Sequence, residues 1–273
     1  KSHSVIINIS HNNQNYRINT KQFIDISIPY KFNGEQPNYY DVNPGQSTPL
    51  KSGETIFSVR SGAGCNVPEI SMNIHCTGTH TECVGHLLEN PGDVGMVLKD
   101  IILPAVLITV DSNSFVDAKE SYHCPVDNNE LIISRKSIQG EVNKWEGYQP
   151  QALIIRTTPN AEDKRYYKYT INPPPFFTND ALRYISDLGI QHLVVDLPSI
   201  DRMSDNGILG NHRIFWGDGE NAKGEVNPDS INTITELTFI PNKVQDGFYF
   251  LNIQLPHFEC DAAPSRPILI HSN

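Results

Sequence analysis

The apolar positions of the chain fall first into strand patterns. "FIDISIPY" (23–30) alternates and is β-branched, the period of a strand with one covered face. Ahead of it, "SVIINIS" has strand character and runs into the polar, Asn-rich "SHNNQNYRINT", so residues 1–20 are expected to form an N-terminal arm or edge hairpin. "NGEQPNYYDVNPGQSTP" is punctuated by Pro and Gly and is read as loop, whereas "TIFSVRSG" and "EISMNIH" alternate like a strand pair. "PAVLITV" and "QALIIRT" are short, continuous apolar runs, the pattern of strands covered on both faces. In "FFTNDALRYISDLGIQHLVVDLPSID" a helix is predicted, with Thr178 as N-cap, Asp180 in the first turn, Leu182, Ile185 and Leu188 as its stripe, and Gly189 closing it. "HLVVDLPS" returns as a strand, so 151–198 makes a βαβ unit with a parallel pair and a right-handed crossover. "INTITELTFI", "GFYFLNIQL" and "SRPILIHS" complete the strand list. Many strands, few helices and no dividing linker predict one α/β domain over 21–273.

Composition narrows the function classes. The 273 residues carry 21 Lys plus Arg against 31 Asp plus Glu, a formal charge of -10, which argues against a nucleic-acid partner. "ILPAVLITV" (102–110) is about half the ~20 residues that a spanning helix needs, so a soluble protein with no membrane partner is expected. Five cysteines without a CxxC pair cannot all bridge within one chain, which favours a reducing, cytoplasmic setting.

The densest chemistry lies in "HCTGTHTECVGH" (75–86), which packs three His, two Cys and one Glu into a short stretch. Cys76, His80, Glu82 and His86 are all even-numbered, so a strand would point them one way, but at ~3.3 Å per residue Cys76 and Glu82 would stand ~20 Å apart. A helix would turn Glu82 away from Cys76 and His80. One ion with bonds of about 2.0–2.3 Å therefore requires a bend, and Gly78 with Thr79 lies where it is needed. Imidazole and carboxylate suit a cation that activates water, and a thiolate would bias the site to zinc over manganese. The alternative is ordinary: satisfied surface histidines and a buried, hydrophobe-like cysteine. Spacing alone leaves both readings open.

"CTGTHTECVGH" resembles the signature H-x-G-T-H-x-D-x-P-x-H of the cyclase family of metal-dependent hydrolases, which includes kynurenine formamidases and isatin hydrolases. His80 and His86 match it directly; Glu82 stands for the Asp, Cys76 for the first His and Val84 for the Pro, while His75 is one place out of register and is expected to point elsewhere unless the loop shifts. "FIDISIPY", "ALIIRT", "VVDLPSID", "NHRIFW", "ITEL" and the closing "GFYFLNIQLPHFECDAAPSRPILI" extend the resemblance along the chain. It implies a single α/β domain with a mixed, barrel-like sheet of the swivelling β/β/α type. It implies Cys76, His80 and Glu82 as metal ligands, His86 as catalytic acid/base, and His212 and Glu236 acting at the same metal site. The segment between these last two is longer than the family's. Members are commonly dimers or higher oligomers, so a homo-oligomer is expected.

The leading expectation is hydrolysis of a small-molecule amide, N-acyl or cyclic, by metal-activated water, with zinc as the expected ion and manganese the second choice. Its rivals are a lactone or ester hydrolase and a non-catalytic metal- or ligand-binding protein on the same scaffold. Other constellations carry less. "PHFEC" reads as strand and turn; His123 and Cys124 sit in a loop; Asp196 and Asp201 bracket a strand end and are read as capping the turn that follows. "GDGENAKG" lacks the ending of a phosphate loop, and no GxSxG elbow occurs.

Overall fold

A computed structural model describes residues 4–272. Its main sheet has ten strands: β1 Ile6–His11, β2 Gln14–Asp25, β3 His80–Cys83, β4 Leu103–Asp111, β5 Ala152–Thr158, β6 His192–Val195, β7 Thr233–Glu236, β8 Gly247–Gln254, β9 Ala262–Pro264 and β10 Arg266–Ser272. Their order across the sheet is β1-β2-β10-β8-β4-β5-β6-β7-β3-β9. The central β4, β5, β6 and β7 are parallel and the flanking strands antiparallel, a mixed sheet.

Parallel neighbours need crossovers, and three helices supply them: α1 Arg135–Val142, α2 Asn179–Asp187 and α3 Gly210–Trp216. The Thr178 hydroxyl accepts from Ala181 N at the start of α2, and Gly189 takes φ 72° just beyond its end, as the sequence predicts. The buried stripe of α2 comprises Ala181, Leu182, Tyr184 and Ile185, whereas Leu188 lies past the last turn and is exposed. The continuous apolar runs resolve into two faces. Val106, Ile108, Leu153, Ile155, Leu193 and Val195 pack on the helices, while Leu107, Ile154, Val194, Tyr249 and Leu251 form a second core on the opposite face.

Within the expected N-terminal arm, β1 and β2 form a hairpin at the sheet edge; β2 continues past position 20 to Asp25 and pairs with β10. Beyond β2 the sheet curls, and Ser27 bridges Thr238 next to β7. "TIFSVRSG" and "EISMNIH" do not pair with each other. Thr55–Ile56 pairs with Lys51–Ser52, and Pro68–Ser71 pairs with Gln46–Pro49 from within the segment read as loop. Nearly every residue of these ribbons is exposed, so no buried face was present to impose the longer register. Among the described residues no helix is long and apolar enough to cross a membrane.

Candidate metal centre

The bend falls where the ligand spacing demanded it. Residues 74–78 turn, with Cys76 N and the Thr77 hydroxyl both donating to Asn73. Gly78 is required there because a Cβ would stand 2.6 Å from the Tyr30 ring. The Thr79 hydroxyl then donates to Leu237 O and accepts from Ile28 N, delivering the chain into β3. Within β3, His80 pairs across the ladder with Glu236 of β7, and Glu82 with Ala262 of β9. A short helical turn after β3 carries His86, and the first turn of α3 carries His212.

Four imidazoles and two carboxylates meet here. Glu82 is the hub: its Oε2 lies 2.9 Å from His75 Nδ1 and 3.9 Å from His80 Nε2, and its Oε1 lies 3.0 Å from His212 Nε2. Glu236 lies 3.6 Å from His80 Nε2 and 3.8 Å from His212 Nε2, and its Oε1 accepts from Ile200 N. Of three triads among the described residues with ligand atoms within 4.8 Å of one another, two lie here, His75/Glu82/His86 and His80/Glu82/Glu236; the third is His123/Asp201/Asp205. The residues fit a cation. His80 is fully buried, its Nδ1–H donates to Gly78 O, and its Nε2 is left without a hydrogen-bond partner between two carboxylates.

Electrostatics follow from this crowding. Burial raises the Glu82 carboxyl, but the His86, His212 and His75 rings outweigh it and hold the group well below its usual range. Glu236 moves the other way, because burial and the Glu82 charge both favour its protonated form. Burial disfavours a charged His75, yet Asp261 and Glu82 push it up to about 10. His212 is likewise raised, against its burial, by Asp201 and Glu82.

Several sequence expectations change here. His75 does not point elsewhere; its ring faces Glu82 and stacks 4.4 Å from the His86 ring. Cys76 lines the cavity wall, packed with Tyr39, Tyr169 and Leu237, and among the described residues it joins neither triad. Burial, Glu236 and Glu82 push its thiol up to about 11. Asp201 does more than cap a turn: it accepts from Asn211 N and His212 N, and its Oδ2 also takes His212 Nδ1 at 2.7 Å. The bond to the ring nitrogen orients the imidazole. Asp196 instead holds Thr157 and Lys164 away from the centre. His123 is satisfied by Asn179 on one ring nitrogen and Asp205 on the other. "PHFEC" is a turn that ends at Asp261, a residue no spacing rule pointed to, whose carboxylate contacts both His75 and His86.

A cavity of about 260 Å³ covers these groups, walled by Tyr39, Tyr40, Pro198 and Leu209, and a wider recess shares Tyr40, His86, Ser199 and Leu209 with it. Tyr40, Leu209 and Leu237 hold φ of 63°, 49° and 53°, costly for side-chain-bearing residues and typical of over-determined sites.

The description putative cyclase matches residues 24–202. The chain belongs to the cyclase family. It is thereby a metal-dependent hydrolase. A kynurenine formamidase of Bacillus mycoides (strain KBAB4) is 26% identical to this cyclase over 92% of the chain and 98% of the relative. A predicted metal-dependent hydrolase of Bacillus stearothermophilus superposes with TM-score 0.57 at 18% identity, covering 91% of this chain and 98% of that one. Isatin hydrolase A of Ralstonia solanacearum superposes with TM-score 0.56 at 14% identity, covering 91% of each chain. The two structural likenesses establish the shared α/β fold with its large mixed sheet.

Proposed function

We propose that this cyclase hydrolyses the amide bond of a small molecule, N-acyl or cyclic, at a divalent cation held by His75, His80, Glu82, His212 and Glu236, with His86 as acid and base. The observation that carries the reading is the buried, unpartnered His80 Nε2 between Glu82 and Glu236. When bound, a divalent cation supplies Lewis acidity toward a carbonyl and brings the pKa of water down toward 7.

The chain's own residues do the remaining work. His86, on the cavity wall, takes the proton of the attacking water and returns it to the leaving nitrogen. Asp201 and the Gly78 carbonyl fix the ring orientations of His212 and His80. Tyr39 and Tyr40, with ring centroids 4.2 Å apart, and Leu209 form an apolar wall that suits an aromatic ring beside the amide and excludes bulk water. The relatives named kynurenine formamidase support an amide over an ester. With nitrogen and oxygen donors alone, zinc and manganese both suit the site.

Metal analysis of protein purified without chelator tests the ligand set, beside His75→Ala and Cys76→Ala. The parent and Cys76→Ala retain metal and His75→Ala loses most of it; the opposite pattern returns the first ligand to Cys76. The same samples are then assayed on an aryl formamide and the matching aryl formate ester. Turnover of the ester alone replaces the amide reading, and a parent that binds no metal after reconstitution overturns the hydrolase mechanism.

A further inference from the structure

Asp261 lies immediately before β9, and its backbone carbonyl accepts from Cys83 N at the end of β3. That pairing holds its side chain beside the segment that carries Glu82 and His86. One oxygen, Oδ2, meets two rings: His75 Nε2 at 3.0 Å and His86 Nδ1 at 2.9 Å. A carboxylate oxygen can only accept, so each of those nitrogens bears its proton. Asp261 thereby holds opposite nitrogens of the two rings, Nε2 of His75 and Nδ1 of His86; the His75 Nδ1 that faces the Glu82 carboxylate carries a proton as well, one that a bound cation would displace. His75 gives its Nε2–H to Asp261 and turns Nδ1 toward Glu82, whereas His86 gives its Nδ1–H and keeps Nε2 for the cavity.

We propose that Asp261 is a positioning residue that fixes the tautomers of both rings at once, aiming His75 Nδ1 at the cation and His86 Nε2 at the substrate. The proposal rests on the site being the hydrolytic centre described above, but its core is a proton arrangement that can be read without turnover. One carboxylate shared by two rings couples ligation to acid/base chemistry, so a single substitution should weaken both. An imidazole whose second nitrogen is held by a carboxylate is the usual arrangement at metal sites, and loss of such a partner costs about 10–100-fold in affinity or activity. Here the same partner also serves a ring that need not touch the ion.

The test is nitrogen NMR of the imidazoles in the zinc-loaded full-length protein, with His75→Gln and His86→Gln used for assignment. The expected result is His86 protonated on Nδ1 and His75 on Nε2. Asp261→Asn is expected to lower zinc affinity by about 10–100-fold, measured by competition with a chelating dye, and to lower kcat by a similar factor with KM little changed. Asp261→Glu is expected to recover part of both. His86 protonated on Nε2 in the unsubstituted protein overturns the proposal, as does an Asp261→Asn protein with unchanged zinc affinity and kcat. Absence of amide turnover overturns the functional reading alone, because tautomers and zinc affinity are still measured. Should Asp261→Asn fail to fold, the spectrum of the unsubstituted protein still decides.

Discussion

Strands β5 and β3 lie in one sheet and are both buried along almost their whole length, yet they are built from opposite chemistry. β5 opens with Ala152, Leu153, Ile154 and Ile155, dividing between two cores. β3 reads His80, Thr81, Glu82, Cys83, and His80 and Glu82 are 0% and 1% exposed. Burying a Leu or Ile side chain stabilises by about 1.5–3 kcal/mol. Burying an isolated charge costs several kcal/mol unless partners repay it. β3 is therefore stable only within its ring of opposite charges, Glu82 against His75 and His212, and within the aliphatic frame that neighbouring strands provide. The proposed hydrolytic centre is assembled at the expense of local stability, and β5 and its neighbours supply the surplus.

Three experiments separate these two kinds of burial. The largest effect is expected from His86→Ala, which should lower kcat by about 10²–10⁴-fold while metal content and Tm stay as in the parent. Lost metal in that protein would instead make His86 a ligand, as its place in the His75/Glu82/His86 triad permits. Next is Ile154→Ala, expected to cost about 2–5 kcal/mol in urea unfolding, with kcat and metal content of the folded fraction unchanged. A large drop in metal content there would show that the aliphatic frame and the centre are not separable.

The smallest effect concerns His192, a buried imidazole at the start of β6 whose ring bonds the Thr233 hydroxyl. Burial pushes it down to about 4, against the opposing Asp100 charge, whereas the carboxylate-flanked His75 is pushed up to about 10. A lowered folded-state value means that the unfolded chain takes up the proton first. His192 therefore costs nothing above pH ~6.5, destabilises the fold progressively as pH falls from ~6.5 to about 4, and costs no more below that. Unfolding curves of the parent and His192→Gln should diverge by up to about 3 kcal/mol across that window. Parallel curves would show that this ring is protonated in the fold without penalty.

The legibility of each region follows the same division. The βαβ unit was readable because continuous aliphatic runs and an N-capped amphipathic helix are local patterns, and Thr178, Leu182 and Gly189 take the places expected of them. The need for a bend at Gly78 was readable from bond lengths alone. The direction of His75 was not. One residue of register flips a side chain in a strand, but His75 lies in the turn before β3, where no period applies. The exposed ribbons at 46–71 were misread because no packing face disciplined their alternation.

What the sequence by itself determined is the set of groups within local reach: His80, Glu82 and His86 on one short segment, the parallel sheet behind them, and the family these imply. Tertiary structure alone decided which distant groups complete the centre. Glu236 arrives by pairing of β7 with β3, His212 by the crossover helix α3, and Asp261 by pairing of β9 with β3. The reason is physical. A metal or proton site needs atoms within a few ångströms, and residues more than a hundred positions apart reach that distance only when the fold packs the strands and helices that carry them side by side.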